Sequence, residues 1–164
     1  MVEVPLVLSF WFTVAAYVVH VLDESLLGGS FIEKIREHWW PQYSWTMFFW
    51  FNAGYFLIMI ASVVAYDLCG GFALAFPLAW AIERACNGFW HVWWSLRFRE
   101  YSPGLLSSIL MWMNAYFIVR YRPVAETIST PVLSTAVILG LAAATFLSFY
   151  IPFFKGRKQG GPQH

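Results

Sequence analysis

The chain has 164 residues, of which 60% are apolar, 21% aromatic and 12% charged, and its net charge is +1. A soluble domain carries roughly twice that charged fraction, and so balanced a charge gives no reason to expect a nucleic-acid partner. With a mean hydropathy of +0.60 and apolar stretches of about twenty residues, the composition points to a polytopic membrane protein.

The N-terminal "MVEVP" holds Glu3 and no basic residue, so the first apolar segment, from about Pro5 to Leu22, is expected to span rather than to be a cleaved signal peptide. It runs into "HVLDE", where His20, Asp23 and Glu24 stand at i, i+3 and i+4 on one side of a helix. The stretch "GSFIEKIREHWWPQYSW" follows, with Phe31, Ile32, Ile35 and Trp39 at helical spacing and Glu33, Lys34, Arg36 and Glu37 off that face. This pattern predicts a short amphipathic helix lying in the interface, either a plain connector or a cover over the mouth of a bundle.

A second span is expected from about Ser44 to Tyr66, and a third from about Gly71 to Arg97, tilted or kinked at Pro77. Cys69 falls at the start of that third helix and Cys86 within it; roughly 25 Å of helical rise between them excludes a disulfide joining the pair. In "SPG", Ser102 is placed to cap and Pro103 to open a fourth span ending near Val119, and Thr130 and Pro131 repeat that logic for a fifth. The expected architecture is therefore all-α: a polytopic transmembrane helix bundle of five spanning helices plus one short interfacial helix. Residues 1–154 form the bundle domain, and 155–164 a short basic tail.

Orientation follows from the basic residues. A cytoplasmic C-terminus puts Lys34, Arg36, Arg97, Arg99, Lys155, Arg157 and Lys158 inside and leaves only Arg120 and Arg122 outside. The N-terminus is then outside.

Ionisable groups within spans cost several kcal/mol unless they face the bundle interior and find partners. In "ERACNGFWH", Glu83, Asn87 and His91 form one stripe at i, i+4 and i+8, and Asn52 and Asn114 add amides on two further spans. Helical rise places Asn52, Asn87, His91 and Asn114 with His20 in the same half of the bilayer, and Glu83 deeper, at up to roughly 20 Å. Two imidazoles and two or three carboxylates projecting from facing helices suit a divalent metal, zinc or iron, or a general acid/base pair. The metal ligands on this reading are His20, Glu24, Glu83 and His91, with Glu24, Glu83 or Asp23 as catalytic carboxylates and Asn87 and Asn52 in support. A purely structural hydrogen-bond network is the competing reading, and for Asn52, Asn114 and Asp23 it is the stronger one. Arg84 points about 100° from Glu83 on an ideal helix, toward a partner such as Asp67 or an anionic group.

These residues also carry a resemblance. "HVLDE", followed by "NGFWHVWWSLRFREYSPGLLSSILMWMN", resembles the HXXEE family of small integral membrane proteins over roughly residues 14–122. The shared features are the first-helix motif, then Asn87, His91, Arg97, Arg99, Tyr101, Ser102, Pro103 and Gly104. Asp23 departs from the motif, which has Glu there, and its reach is shorter by about 1.5 Å. The resemblance implies a membrane enzyme with a site at the matching residues and leaves the reaction open. The leading reading is thus a metal-dependent or acid/base enzyme acting on a lipid-like substrate. The alternatives are a non-catalytic subunit of a larger membrane complex, binding haem or pigment through His20 or His91, and a transporter or proton path on the same residues.

Overall fold

The computed structural model describes residues 6–27, 30–120 and 128–147, and among these it is all-α with six helices. They are α1 (Leu6–Leu26), α2 (Phe31–His38), α3 (Trp45–Cys69), α4 (Ala75–Phe98), α5 (Leu105–Arg120) and α6 (Thr130–Thr145), with a 3₁₀ turn at Gly71–Leu74. The tail from 155 to 164, the expected start of the first span at Pro5, and Arg122 lie outside the described residues.

Local chemistry accounts for most boundaries. Ser44 caps α3, its hydroxyl accepting from the Met47 amide. Gly70, at φ +59°, stops α3, so Cys69 is the last residue of that helix and not the first of the next. Pro77 lies in the first turn of α4, where its missing N–H leaves no intrahelical bond unmade. The helix expected from Gly71 begins instead at Ala75, and Gly71–Leu74 form a 3₁₀ turn just upstream of Pro77. Arg99 ends α4 in the left-handed region, φ +58°, and turns the chain back toward α5.

α1 and α3 are long and apolar enough to cross a membrane; α5 and α6, of 16 residues each, are apolar but shorter. The main core gathers Phe10, Val14 and Tyr17 of α1 with Met59, Val63, Leu78, Met111 and Ala136 of the surrounding helices. A second cluster lies at one end, where Ile32 and Ile35 of α2 pack on Trp40, Tyr43, Trp90 and Trp94. These two isoleucines bear out the amphipathic pattern, while Glu33, Arg36 and Glu37 stay exposed. Glu100 fastens this helix to the end of α4: it pairs with Lys34, lies 3.4 Å from the His38 ring and accepts from the Trp94 indole. Burial raises its carboxyl pKa, but these hydrogen bonds outweigh it and leave the group below its usual range.

α6 packs closest on α4. A Cβ built on Gly140 would lie 2.7 Å from the Ala79 carbonyl oxygen and 2.9 Å from Ile82, whereas one on Gly54 of α3 would meet nothing within 4 Å. Gly140→Ala is therefore expected to push the helices apart and cost about 1–3 kcal/mol. Gly54→Ala, in open space, is expected to stabilise by about 0.5–1 kcal/mol. Opposite shifts of the thermal midpoint check both.

Candidate metal centre

α1 and α4 bring two of the four ligands expected from the sequence, His20 and His91, to one place at the end of the bundle that α2 covers. Their ring centroids are 5.0 Å apart and the planes nearly perpendicular. His20 is 1% exposed and His91 fully buried. Each Nε2 faces the same oxygen of Glu24, at 3.4 Å from His20 and 3.7 Å from His91. Both separations exceed the roughly 2.7–2.9 Å of a charge-assisted hydrogen bond, and neither Nε2 has a hydrogen-bond partner. A buried polar nitrogen left unpaired costs about 1–3 kcal/mol, and here two share one small volume.

The opposite ring nitrogens are held. His20 Nδ1 lies 2.9 Å from the Ser107 hydroxyl, and His91 Nδ1 lies 2.8 Å from that of Ser102. Ser107 Oγ donates in turn to Asp23 Oδ2 at 2.8 Å. A hydroxyl has one proton, and a carboxylate attracts it more strongly than a neutral acceptor does. His20 Nδ1 then donates to Ser107, and in a neutral ring this leaves the Nε2 lone pair directed at Glu24. That is the tautomer a metal ligand needs.

Asp23 has a second duty. Its Oδ2 also accepts from the Ser107 amide, at 2.9 Å, the third residue of α5, and its Oδ1 accepts from Tyr101 at 2.8 Å. The carboxylate from α1 thus caps the N-terminus of α5, where free amides and the helix dipole favour an anion. This explains why Asp23 is buried rather than solvated at a helix end. Burial and the Asp23 bond push the Tyr101 hydroxyl up to about 12, so it stays a donor. Ser102 does not cap α5 with its side chain as expected; that hydroxyl is turned to His91 instead.

Gly104 completes the arrangement. At φ +99°, a Cβ on it would lie 2.6 Å and 2.7 Å from the Cε1 atoms of His91 and His20. Sequence reasoning placed Gly104 in a motif without assigning it this contact, and it missed Ser107 altogether. The signal was the "SPGLLSS" spacing, which sets Gly104 and a hydroxyl at the start of a helix facing "HVLDE".

The remaining predicted residues lie apart from the two imidazoles. Glu83 is fully buried, but both its oxygens are taken by Arg84, whose guanidinium folds back along the helix rather than reaching Asp67. Arg84 stacks over Tyr17 and Tyr55, at 5.0 and 4.7 Å from their ring centroids. Glu83 and His91 are eight residues apart on α4, about 12 Å of rise. Asn114 donates to the Ser9 carbonyl and Thr13 hydroxyl and ties α5 to α1. Asn52 accepts from Tyr17, and Asn87 keeps a buried Oδ1 without a partner. Both amides line a cavity of about 160 Å³ that has Glu24 in its wall, with Arg84 and the aromatic residues Phe31, Tyr43, Phe48 and Trp90 around it.

His20, Glu24 and His91 therefore form a buried group, with ligand atoms within 4.8 Å of one another, that can hold a metal ion. Gly104→Ala is expected to force the imidazoles apart and destabilise the protein by about 1–3 kcal/mol or more, through the clash and the positive φ together. Its thermal midpoint should fall further than that of Gly140→Ala.

The comparisons agree with the motif reading. A family described as "Protein of unknown function with HXXEE motif" matches residues 11–119, a span that contains every residue of this centre. No curated protein and no solved structure matches the chain.

Proposed function

This chain belongs to the HXXEE family, and from that premise we propose a membrane-embedded metal enzyme that acts on a lipid-like substrate. The observation that carries the proposal is the pair of unpartnered Nε2 atoms converging on Glu24. Two ligands about 2.1 Å from one tetrahedral ion are about 3.4 Å apart, close to the 3.4 and 3.7 Å between Glu24 and the two rings. Two neutral imidazoles and one carboxylate leave a fourth position open, as catalytic zinc sites do. The same donor set also suits iron(II), whose sites likewise combine two imidazoles with one carboxylate. A bound zinc ion supplies Lewis acidity, which fits hydrolytic chemistry better than redox chemistry.

The chain's own residues have distinct parts in this reading. His20, His91 and Glu24 are the ligands. Asp23 and Ser107 fix the His20 tautomer, and Ser102 orients His91. Glu83 neutralises Arg84 beside the cavity instead of ligating. Glu24 belongs both to the centre and to the cavity wall, so a substrate group in the cavity would lie beside one of the ligands.

Membrane placement is supported by an inverted surface. His20, Asp23, Glu24, Glu83, Arg84 and His91 are buried, while Trp50, Leu57, Phe89, Met113 and Ile138 are more than 60% exposed. Water disfavours that distribution and lipid favours it. On this reading α1, α3, α4, α5 and α6 all span, and α2 lies in the cytoplasmic interface. Lys34, Arg36, Arg97 and Arg99 share the end of the bundle that carries the centre, which fits a cytoplasmic C-terminus and an external N-terminus. Against the macrocycle alternative stands Gly104, which packs on both rings and, with the facing imidazole, leaves no room for a porphyrin over either Nε2.

Elemental analysis of protein purified in mild detergent and exposed to zinc is expected to give one ion per chain. His20→Ala or His91→Ala should abolish it, and Asp23→Asn should weaken affinity by about 10–100-fold while leaving the ligands in place. Wild-type protein that stays metal-free under these conditions, or that carries a coloured macrocycle, contradicts the proposal.

A further inference from the structure

A second cavity lies alongside the first. It has a volume of about 420 Å³ and runs between Val18, Val21 and Leu22 of α1 and Phe49, Ala53 and Phe56 of α3. That is within the roughly 300–1,000 Å³ of small-molecule sites. Val18, Leu22 and Phe49 are 43%, 52% and 61% exposed, so the groove is open on its outer side. Its few polar groups are already satisfied: Ser25 donates to the Val21 carbonyl, and the Asn52 amide nitrogen donates to the Phe48 carbonyl. Such a surface has nothing to offer a polar ligand and suits a methylene chain.

Tyr17, Phe48 and Asn52 line both this groove and the Glu24 cavity. Across that shared wall the Tyr17 hydroxyl donates to Asn52 Oδ1. The two cavities differ in chemistry on either side of it. The inner one holds Glu24 and the unpartnered Oδ1 of Asn87, a buried acceptor aimed at no protein donor. It also holds Arg84, whose charge is already matched by the two bonds to Glu83. An inner group that is polar, hydrogen-bonding and uncharged fits that lining; a phosphate would need a free cation.

We infer that the substrate is a neutral single-chain amphiphile, its apolar chain seated in the α1–α3 groove and its hydroxyl end passing Tyr17 and Asn52 into the Glu24 cavity, where it has a proton to donate to acceptors such as Glu24. The inference rests on the metal-enzyme reading for what happens at the inner end, but the chain seat stands on the groove alone. Tyr17 and Asn52 act as the gate between bilayer and site, which gives Asn52 a part in access rather than in ligation.

The test uses a sixteen-carbon alcohol carrying a mid-chain diazirine, photolysed with the zinc-treated protein in lipid nanodiscs and mapped by mass spectrometry. Labels should concentrate on residues 18–25 and 49–56, and excess hexadecanol should suppress them while hexadecyl phosphate does not. Ala53→Trp and Val18→Trp, both of which fill the groove from a partly or fully exposed position, should each cut labelling about tenfold with zinc content unchanged. Labels spread evenly over the outer faces of α5 and α6, or labelling indifferent to both tryptophans, would overturn the inference. Zinc content read on the same samples separates the two ideas: groove labelling without bound zinc upholds the chain seat and contradicts the metal centre.

Discussion

Everything at the covered end of this bundle is arranged around two histidine nitrogens that the protein itself does not satisfy. Burying a polar atom without a partner is among the few things folded chains avoid consistently. Here two such atoms face one carboxylate oxygen at 3.4 and 3.7 Å. The surrounding residues do not relieve the deficit; they hold it in place. Ser102 and Ser107 occupy the other ring nitrogens, Asp23 anchors Ser107, and Gly104 gives up its side chain so that both rings can approach. A network whose purpose was only to fasten helices would close its bonds, as Asn114 does with Ser9 and Thr13.

The cost of this arrangement is met by helix ends and aromatic cover. Asp23 works at once as an interhelical cap for α5 and as the acceptor that sets the His20 tautomer, so one carboxylate couples the assembly of the bundle to the state of the site. Trp90, Trp94 and Phe31 wall the centre off beneath α2, whose tie to Glu100 keeps the cover seated. Excluding water in this way strengthens every electrostatic interaction inside. Farther along α4, Glu83 and Arg84 neutralise one another between two tyrosine rings. That pair leaves the cavity next to Glu24 polar without making it charged.

Much of this was legible in the sequence, for physical reasons that differ by residue. His20 and Glu24 on one helical face, and the stripe from Asn87 to His91, follow from the 3.6-residue repeat alone, and the amphipathic face of α2 follows from the same periodicity. Glu83 sits on that stripe too, yet periodicity fixes direction and not depth; eight residues of rise carry it past the centre, and an adjacent arginine folds back onto it. The pairing of Arg84 with its neighbour Glu83 is not legible, because Cβ direction is a poor guide to where a long, flexible guanidinium ends. Ser102 looked like a helix cap because Ser-Pro-Gly usually is one; no local rule shows that its hydroxyl would serve His91 while a carboxylate 84 residues before Ser107 did the capping. Gly104 is the plainest case. Its positive φ is a local property, but the two rings that require a bare Cα come from elsewhere in the chain.

The central claim is that His20, His91 and Glu24 bind one ion together, and X-ray absorption on the zinc-loaded protein tests it most directly. The account predicts a low-coordinate zinc with nitrogen and oxygen neighbours at about 2.0–2.1 Å and the multiple-scattering signature of two imidazoles. A spectrum of the wild-type protein with no imidazole scattering, or with sulfur neighbours from Cys69 or Cys86, would contradict it.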